Sequence, residues 1–376
     1  MYKFKILLNY WKLAEMPFLQ VPSSLHSILF LSPKPFFTKF SKTLISVSNM
    51  SNPTEPTSET VPQTPQNYPT PLSPPLPSVS KDIELTRAMS ASSKSSLFKL
   101  SRSDILYEDE WLIAVNKPQG IYCESVLASV PCLLAGNSAE SGQLNAVYPT
   151  MNRMTEAKPP ELHLANRLDR DTSGVMIITK SHKVASKLVK AFTNHKVSKT
   201  YIALCVGPAP KWERTTLKSG HGRSKFGVWR VYASSDVGRN LPGGSVVKDM
   251  VTSFEVLSVN GQGSLRELSE FQKNVTNVIV VEEKAMIDAD AKKDEILVRA
   301  FPQSGRTHQI RLHCQYLGIS IRGDVKYEGV YEWNGRTYEG HELHAESLSL
   351  EHPVTGCPIM FQAPLPCWAS QALQSP

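Results

Sequence analysis

A chain of 376 residues with 41% hydrophobic and 20% charged positions can bury a sizeable core, in one large domain or two smaller ones. An aromatic content of 8% excludes a wholly disordered or collagen-like chain, and no apolar run reaches the roughly 18–20 residues that span a bilayer. Lys and Arg number 41 against 34 Asp and Glu, and the resulting net charge of +7 points weakly to a polyanionic partner.

Residues 1–49 hold one acid, Glu15, among six lysines and several serines and phenylalanines. That composition predicts an organellar targeting segment, for a mitochondrion or chloroplast, although arginine is missing from it. Translation from Met50 would discard the segment and leave the product in the cytoplasm. Residues 50–103 read as a disordered Pro/Ser/Thr-rich linker, with nine prolines between Pro53 and Pro77. Proline removes backbone donors and fixes φ, so this tract favours neither ladder nor helix interior. Order is expected to begin near Asp104, with one folded domain over 104–376.

Within that domain strands alternate with helices. Ile105-Leu106-Tyr107 and Leu112-Ile113-Ala114-Val115 flank the acidic turn Glu108-Asp109-Glu110 as two strands, and Val175 to Ile178 is a short buried third. Val184, Ala185, Leu188, Val189 and Phe192 recur at helical spacing and turn Lys183, Lys187 and Lys190 to solvent. Tyr201 to Val206 alternates, with Ile202, Leu204 and Val206 on one face and Tyr201, Ala203 and Cys205 on the other. Ile296 to Phe301 alternates likewise. A helix follows Thr307, which is placed to cap its start, and Gly318 ends it. The mixture predicts an α+β domain. Two polar stretches, about 125–160 and 260–294, lack periodicity and are expected to be loop insertions.

The six cysteines, at 123, 132, 205, 314, 357 and 367, form no CxxC pair and no zinc or disulfide framework. Scattered in this way, they read as buried or incidental thiols of a reducing compartment. The positive charge is concentrated: residues 161–230 hold 14 Lys/Arg against 4 Asp/Glu. Such a stretch serves equally as a solvated helix face or as a surface for a polyanion.

Three segments carry residue types suited to chemistry. In Asn166-Arg167-Leu168-Asp169-Arg170-Asp171-Thr172-Ser173-Gly174 a carboxylate sits among donors that favour its ionised form, as a nucleophile needs. A salt-bridged surface turn has the same composition. In Ser304 to His313, a glycine turn before a helix start places Arg306 and Arg311 where they can clamp phosphate or pair with a carboxylate. His308 and His313 are five residues apart and so do not form a zinc pair on one helix face. Tyr201 lies on the less apolar face of its strand, where it can stack on a base or simply pack.

Taken together and in order, these segments resemble the motifs of the RluA-type pseudouridine synthases. ILYEDEWLIAVNKPQG at 105–120 is similar to that family's opening strand pair and Asn-Lys-Pro-x-Gly turn, and RLDRDTSG at 167–174 to its catalytic motif. KTYIALCVG at 199–207 is similar to the tyrosine motif, and SGRTHQIRLHCQYLG at 304–318 to the third. RGD at 322–324 and ELHAESLSLEHPVTG at 342–356 extend the likeness over about 104–365. The resemblance implies a central mixed, mainly antiparallel β-sheet flanked by helices and loops. It also implies isomerisation of uridine in RNA: the C1′–N1 bond breaks, the base rotates and a C1′–C5 bond forms.

Residue by residue, the resemblance makes Asp169 the nucleophile and Tyr201 the residue packing against the base, with a part in proton transfer. Arg311 becomes the cation paired with Asp169, and Ile310 an apolar floor. Arg167 becomes a residue that engages RNA, and Arg306 and Asn166 are further substrate contacts. The family usually has His where this chain has Asn166, which can hydrogen-bond but cannot carry charge. No cofactor and no metal are implied. The expected partner is structured RNA, tRNA or rRNA, with no membrane, and the chain is expected to be a monomer. A non-catalytic RNA-binding or chaperone protein on the same fold is the competing reading. A glycoside hydrolase using Asp169 and Asp171 is a more distant one, since such carboxyls must stand about 5 Å or more apart across a sugar.

Overall fold

The computed structural model describes residues 67–140, 161–263, 277–286 and 290–374. The chain divides into two units, 1–67 and 68–376, and the second holds the sheet and its helices. The expected targeting segment, most of the proline tract and parts of both expected insertions lie outside the described residues.

Nine strands make the main ladder: β1 (Ile105–Glu108), β2 (Leu112–Lys117), β3 (Ser173–Thr179), β4 (Ser198–Gly207), β5 (Arg214–Arg223), β6 (Lys248–Val259), β7 (Val278–Val280), β8 (Asp294–Pro302) and β9 (Leu343–Glu351). They run in the order β1-β2-β3-β9-β4-β8-β6-β5-β7. Only the β3–β9 and β5–β7 pairs within that order are parallel, so the sheet is mixed and mainly antiparallel, as expected. Among the described residues five α-helices accompany it: α1 (Ser80–Leu97), α2 (Cys123–Glu140), α3 (His182–Thr193), α4 (Gln309–Tyr316) and α5 (Cys367–Gln374).

The central strands read as continuous apolar runs because both of their faces are covered. In β2 and β3, Ile113, Val115, Met176 and Ile178 pack under Cys123, Val126 and Val130 of α2. The alternate residues Leu112, Ala114, Val175 and Ile177 pack with Leu188 of α3, together with Leu348 and Phe361. The two faces predicted for β4 are those found. Ile202 and Leu204 meet Ala369 and Ala372 of α5, while Ala203 and Cys205 meet Ile310 and Cys314 of α4. Each fully buried aliphatic side chain contributes roughly 1.5–3 kcal/mol. The β3–β9 crossing leaves no room for a side chain: Gly174 has φ +107, and a Cβ there would lie 2.2 Å from the Ala345 carbonyl oxygen.

Four local expectations are corrected, one of them by β7, a strand inside the stretch 260–294 expected to be loop. The stretch expected to be loop from 125 starts inside α2, whose buried Cys123, Val126 and Val130 follow helical spacing while Pro131 obscures the pattern. Thr307 does not cap α4. Its N-cap is His308 at φ 58, and Gln309 Oε1 accepts from Arg306 N at 3.0 Å and from Ser304 Oγ at 2.8 Å.

The last correction is the onset of order. Residues 68–103 are part of the folded unit rather than linker. Leu72 N donates to Val231 O at 2.8 Å, and Leu72 and Leu76 pack against Leu312 and Tyr327. Helix α1 then buries Ser80, Arg87 and Ala91. Its anchoring side is polar, so it lacks the apolar stripe by which an amphipathic helix is recognised.

Candidate active site

Asp169 sits on the turn leading into β3, and the segment it belongs to is held by backbone and buried side chains. Thr172 N donates to Asp169 O at 3.1 Å, and Gly120 N donates to Arg170 O at 3.0 Å. Lys117, fully buried at the end of β2, spends its ammonium protons on the carbonyls of Pro118 (2.9 Å), Ile121 (2.7 Å) and Arg170 (2.9 Å). The Asn-Lys-Pro-Gln-Gly turn therefore fastens the Asp169 turn directly. Burial, set against nearby anions, brings the Lys117 ammonium down to about 8.

Arg311, on the first turn of α4, reaches back to this carboxylate with Nη1 2.8 Å from Asp169 Oδ2. Its other two donating nitrogens are taken by Asp324: Nε lies 2.7 Å from Oδ2 and Nη2 2.8 Å from Oδ1. One guanidinium thus bridges two carboxylates, and its face rests on the Tyr327 ring at 5.0 Å. His308 Nε2 lies 3.8 Å from Asp169 Oδ2, and the Tyr327 hydroxyl lies 2.7 Å from His308 Nδ1. With an ionised carboxylate facing Nε2, the favoured neutral tautomer carries its proton there and takes a hydrogen bond from Tyr327 at Nδ1.

The electrostatics separate an acceptor from a donor set. Burial opposes ionisation of Asp169, but the positive edge of His308 and the Arg311 charge overcome it and hold the carboxyl well below its usual range. Burial lowers His308 to about 3, so its ring is neutral near pH 7. Burial and then Asp169 push the Tyr201 phenol well above its ordinary value. Lys199, whose Nζ donates to Ser304 O at 2.8 Å, is lowered to about 8 by burial and by Arg306.

An open cleft collects most of the residues that the sequence singled out: Asp169, Tyr201, Arg311, Arg167, Ile310 and Arg306 all line it. Ile310 is buried at its base, and Arg167, at the exposed rim, pairs with Glu124 of α2. Arg306 is held by Asp249, with Nε 2.9 Å from its carbonyl and Nη2 3.0 Å from Oδ1.

Asn166 does not join them. Its Oδ1 accepts from Ile177 N at 2.8 Å and its Nδ2 donates to Val175 O at 3.4 Å, so its side chain serves the edge of β3. It is absent from the cleft lining, and both ends of its amide are engaged by the backbone of β3.

Asp324, His308, Tyr327, Lys117 and Lys199 were not singled out as site residues. For Asp324 the only signal was its place in the RGD segment, since pairing across a fold leaves no local pattern. His313 is held between Ser219 Oγ (2.9 Å) and Thr252 Oγ1 (2.8 Å). Among the described residues no cluster of three or more His, Cys, Asp or Glu is placed to hold a metal ion, and no helix is long and apolar enough to cross a membrane.

A sequence model of the RNA pseudouridylate synthase family matches residues 111–316. The chain is 63% identical over 306 residues to RNA pseudouridine synthase 1 of Arabidopsis thaliana, covering 81% of this chain and 88% of that protein. It is 59% identical over 311 residues to RNA pseudouridine synthase 1 of Oryza sativa subsp. japonica, covering 82% and 85%. A more distant relative, ribosomal large subunit pseudouridine synthase C of Rickettsia bellii, is 25% identical over 300 residues, covering 79% and 77%.

Proposed function

This chain belongs to the RluA-type family of RNA pseudouridine synthases, and from that premise we propose that it isomerises uridine in structured RNA with Asp169 as the nucleophile and no cofactor. The observation that supports this most is the Asp169–Arg311 contact at 2.8 Å in a cleft also lined by Tyr201. Arg311 keeps the carboxylate ionised and aimed, with Asp324 holding the guanidinium from behind. The Asp169 carboxylate attacks the target nucleotide and the C1′–N1 bond breaks. The base then rotates while held, C5 bonds to C1′, and the bond to Asp169 breaks to return the free carboxylate, while C5 loses its proton and N1 gains one. Atoms balance, as an isomerisation requires.

A uridine stacked in a helix cannot reach this cleft, so it must be flipped out at a cost of roughly a few kcal/mol. Phosphate contacts from the basic stretch 161–230 offset that cost. Arg167 and Arg306 at the cleft then serve substrate binding, Ile310 supports the base from below, and Tyr201 packs against it. The substrate is tRNA or rRNA, the latter in keeping with the Rickettsia relative's name. The enzyme acts as a monomer. The composition of residues 1–49 sends it to an organelle. A reporter fused to residues 1–49 that stays in the cytoplasm would remove the targeting assignment.

The direct test incubates the full chain and its Asp169→Asn variant with transcribed tRNAs and rRNAs from each compartment, then maps pseudouridine chemically. Pseudouridine is expected from the intact chain alone, with RNA affinity in the variant within about threefold, because Asn keeps the shape of Asp. Binding without isomerisation by the intact chain would overturn the reading in favour of an RNA-binding protein. Equal loss of binding and turnover in the variant would remove Asp169 from the nucleophile role.

A further inference from the structure

Helix α1 lies where the sequence predicted a disordered linker, and it precedes the stretch that matches the family model. Its anchoring to the rest of the fold is made by polar groups, and those groups end on the segments that carry the site. Arg87 is 8% exposed. Its Nη1 donates to Gly323 O at 2.8 Å and its Nη2 donates to Tyr338 O. Gly323 immediately precedes Asp324, and Tyr338 closes the same excursion of the chain. One guanidinium therefore clasps both ends of the segment that presents Asp324 to Arg311.

The second tie is Glu84, one helical turn before Arg87. Its Oε2 lies 3.3 Å from Arg170 Nη2, beside Asp169 in sequence, and its Oε1 lies 3.5 Å from Arg87 Nη1. Arg170 also grips Asp171, with Nε 2.7 Å from Oδ1 and Nη2 2.6 Å from Oδ2. Farther along the helix, Ser95 Oγ accepts from Tyr122 N at 3.3 Å, just past the turn that fastens Arg170.

We infer that α1 is a positioning element of the active site, in which Arg87 and Glu84 hold the Asp324 and Asp169 segments in register on either side of Arg311. A buried cation whose bonds go mainly to carbonyls is costly unless its placement is required: Arg87 Nε is buried with no partner among the described residues. The two carboxylates lie 155 positions apart in sequence, and the Arg87–Glu84 pair is a physical link between their segments besides Arg311 itself. A shift of about 1 Å between Asp169 and Asp324 is enough to cost about 10²-fold in rate. The inference rests on the isomerase reading, since positioning is defined by that reaction.

The test uses the full chain with Arg87→Ala, Arg87→Lys and Glu84→Gln. Single-turnover pseudouridine formation at saturating RNA is read beside RNA affinity and hydrogen exchange over residues 321–330. Arg87→Ala is expected to slow turnover about 10- to 100-fold, to leave affinity within about threefold, and to lose amide protection at Asp324, Tyr327 and Gly329. Arg87→Lys keeps the charge and reaches a single carbonyl, so it is expected to recover part of the rate. Glu84→Gln is expected to cost less, because Arg170 remains paired with Asp171.

A lower melting temperature with a normal turnover rate in folded Arg87→Ala would make α1 merely structural and overturn the inference. Normal exchange together with a normal rate would do the same. If the unsubstituted chain modifies no RNA, the isomerase reading fails by itself, and the exchange measurement alone decides whether Arg87 holds the Asp324 segment.

Discussion

Asp324 grips Arg311 from behind with two hydrogen bonds, 2.7 and 2.8 Å long, and so leaves only Nη1 of the guanidinium for Asp169. The pairing is asymmetric by construction. Asp324 is 1% exposed at its side chain and serves only to hold, whereas Asp169, at 30%, opens into the cleft and is available to a substrate. A bidentate clamp fixes the plane of the guanidinium, and that plane fixes the direction from which Asp169 is held.

Removing the clamp should therefore impair chemistry through geometry. Asp324→Asn is expected to lower single-turnover rate about 10²-fold with RNA affinity nearly unchanged. It also breaks a buried pair, at a cost of about 3–5 kcal/mol in unfolding free energy by denaturant titration. Arg311→Ala is expected to cripple turnover more severely, since both carboxylates lose their partner. A near-normal rate in Asp324→Asn would show that Arg311 needs no support.

Asn166 separates two explanations of its place beside the Asp169 motif. Its side-chain amide clasps the backbone at Ile177 and Val175, so Asn166→Ala is expected to lose about 1–2 kcal/mol of stability. Turnover at saturating RNA should stay within about twofold. A tenfold fall in turnover with an unchanged melting temperature would instead place Asn166 at the substrate.

Acid sensitivity should start above the carboxylate range. Burial lowers His313 to about 3 and His221 and His344 to about 4, against 6.5 for the free side chain. Between those values the unfolded chain binds protons that the folded chain refuses. The contribution is thus complete above pH 6.5 and is lost as pH falls toward 4 and then 3. Each histidine adds at most about 1.4 kcal/mol per pH unit. Urea midpoints are expected to drop between pH 7 and pH 5, and His313→Gln should flatten that drop. Equal midpoints at the two pH values would mean that these rings titrate normally.

Much of the site was legible from short segments. Asp169, Tyr201, Arg311, Arg167, Ile310 and Arg306 each lie in a motif of at most fifteen residues, and the cleft contains all six. The strands were legible for a related reason: a buried run such as Leu112 to Val115 declares itself by composition alone. Helix α1 did not, because it is anchored through Arg87 and Glu84 and leaves Leu85 and Met89 exposed. Asn166 directly precedes Arg167, Leu168 and Asp169, which line the cleft, while its own side chain turns to β3.

The order and chemistry of these motifs, the alternation of the strands and the family follow from the amino-acid sequence by itself. These are properties of residues near one another along the chain. The tertiary structure alone decided that Arg311 meets Asp169 across 142 positions, that Asp324 completes the bridge, and that a helix from the supposed linker supports both. Such pairings depend on where the backbone returns in space. A side chain's type says which partner it can take, and the path of the main chain says which partner it finds.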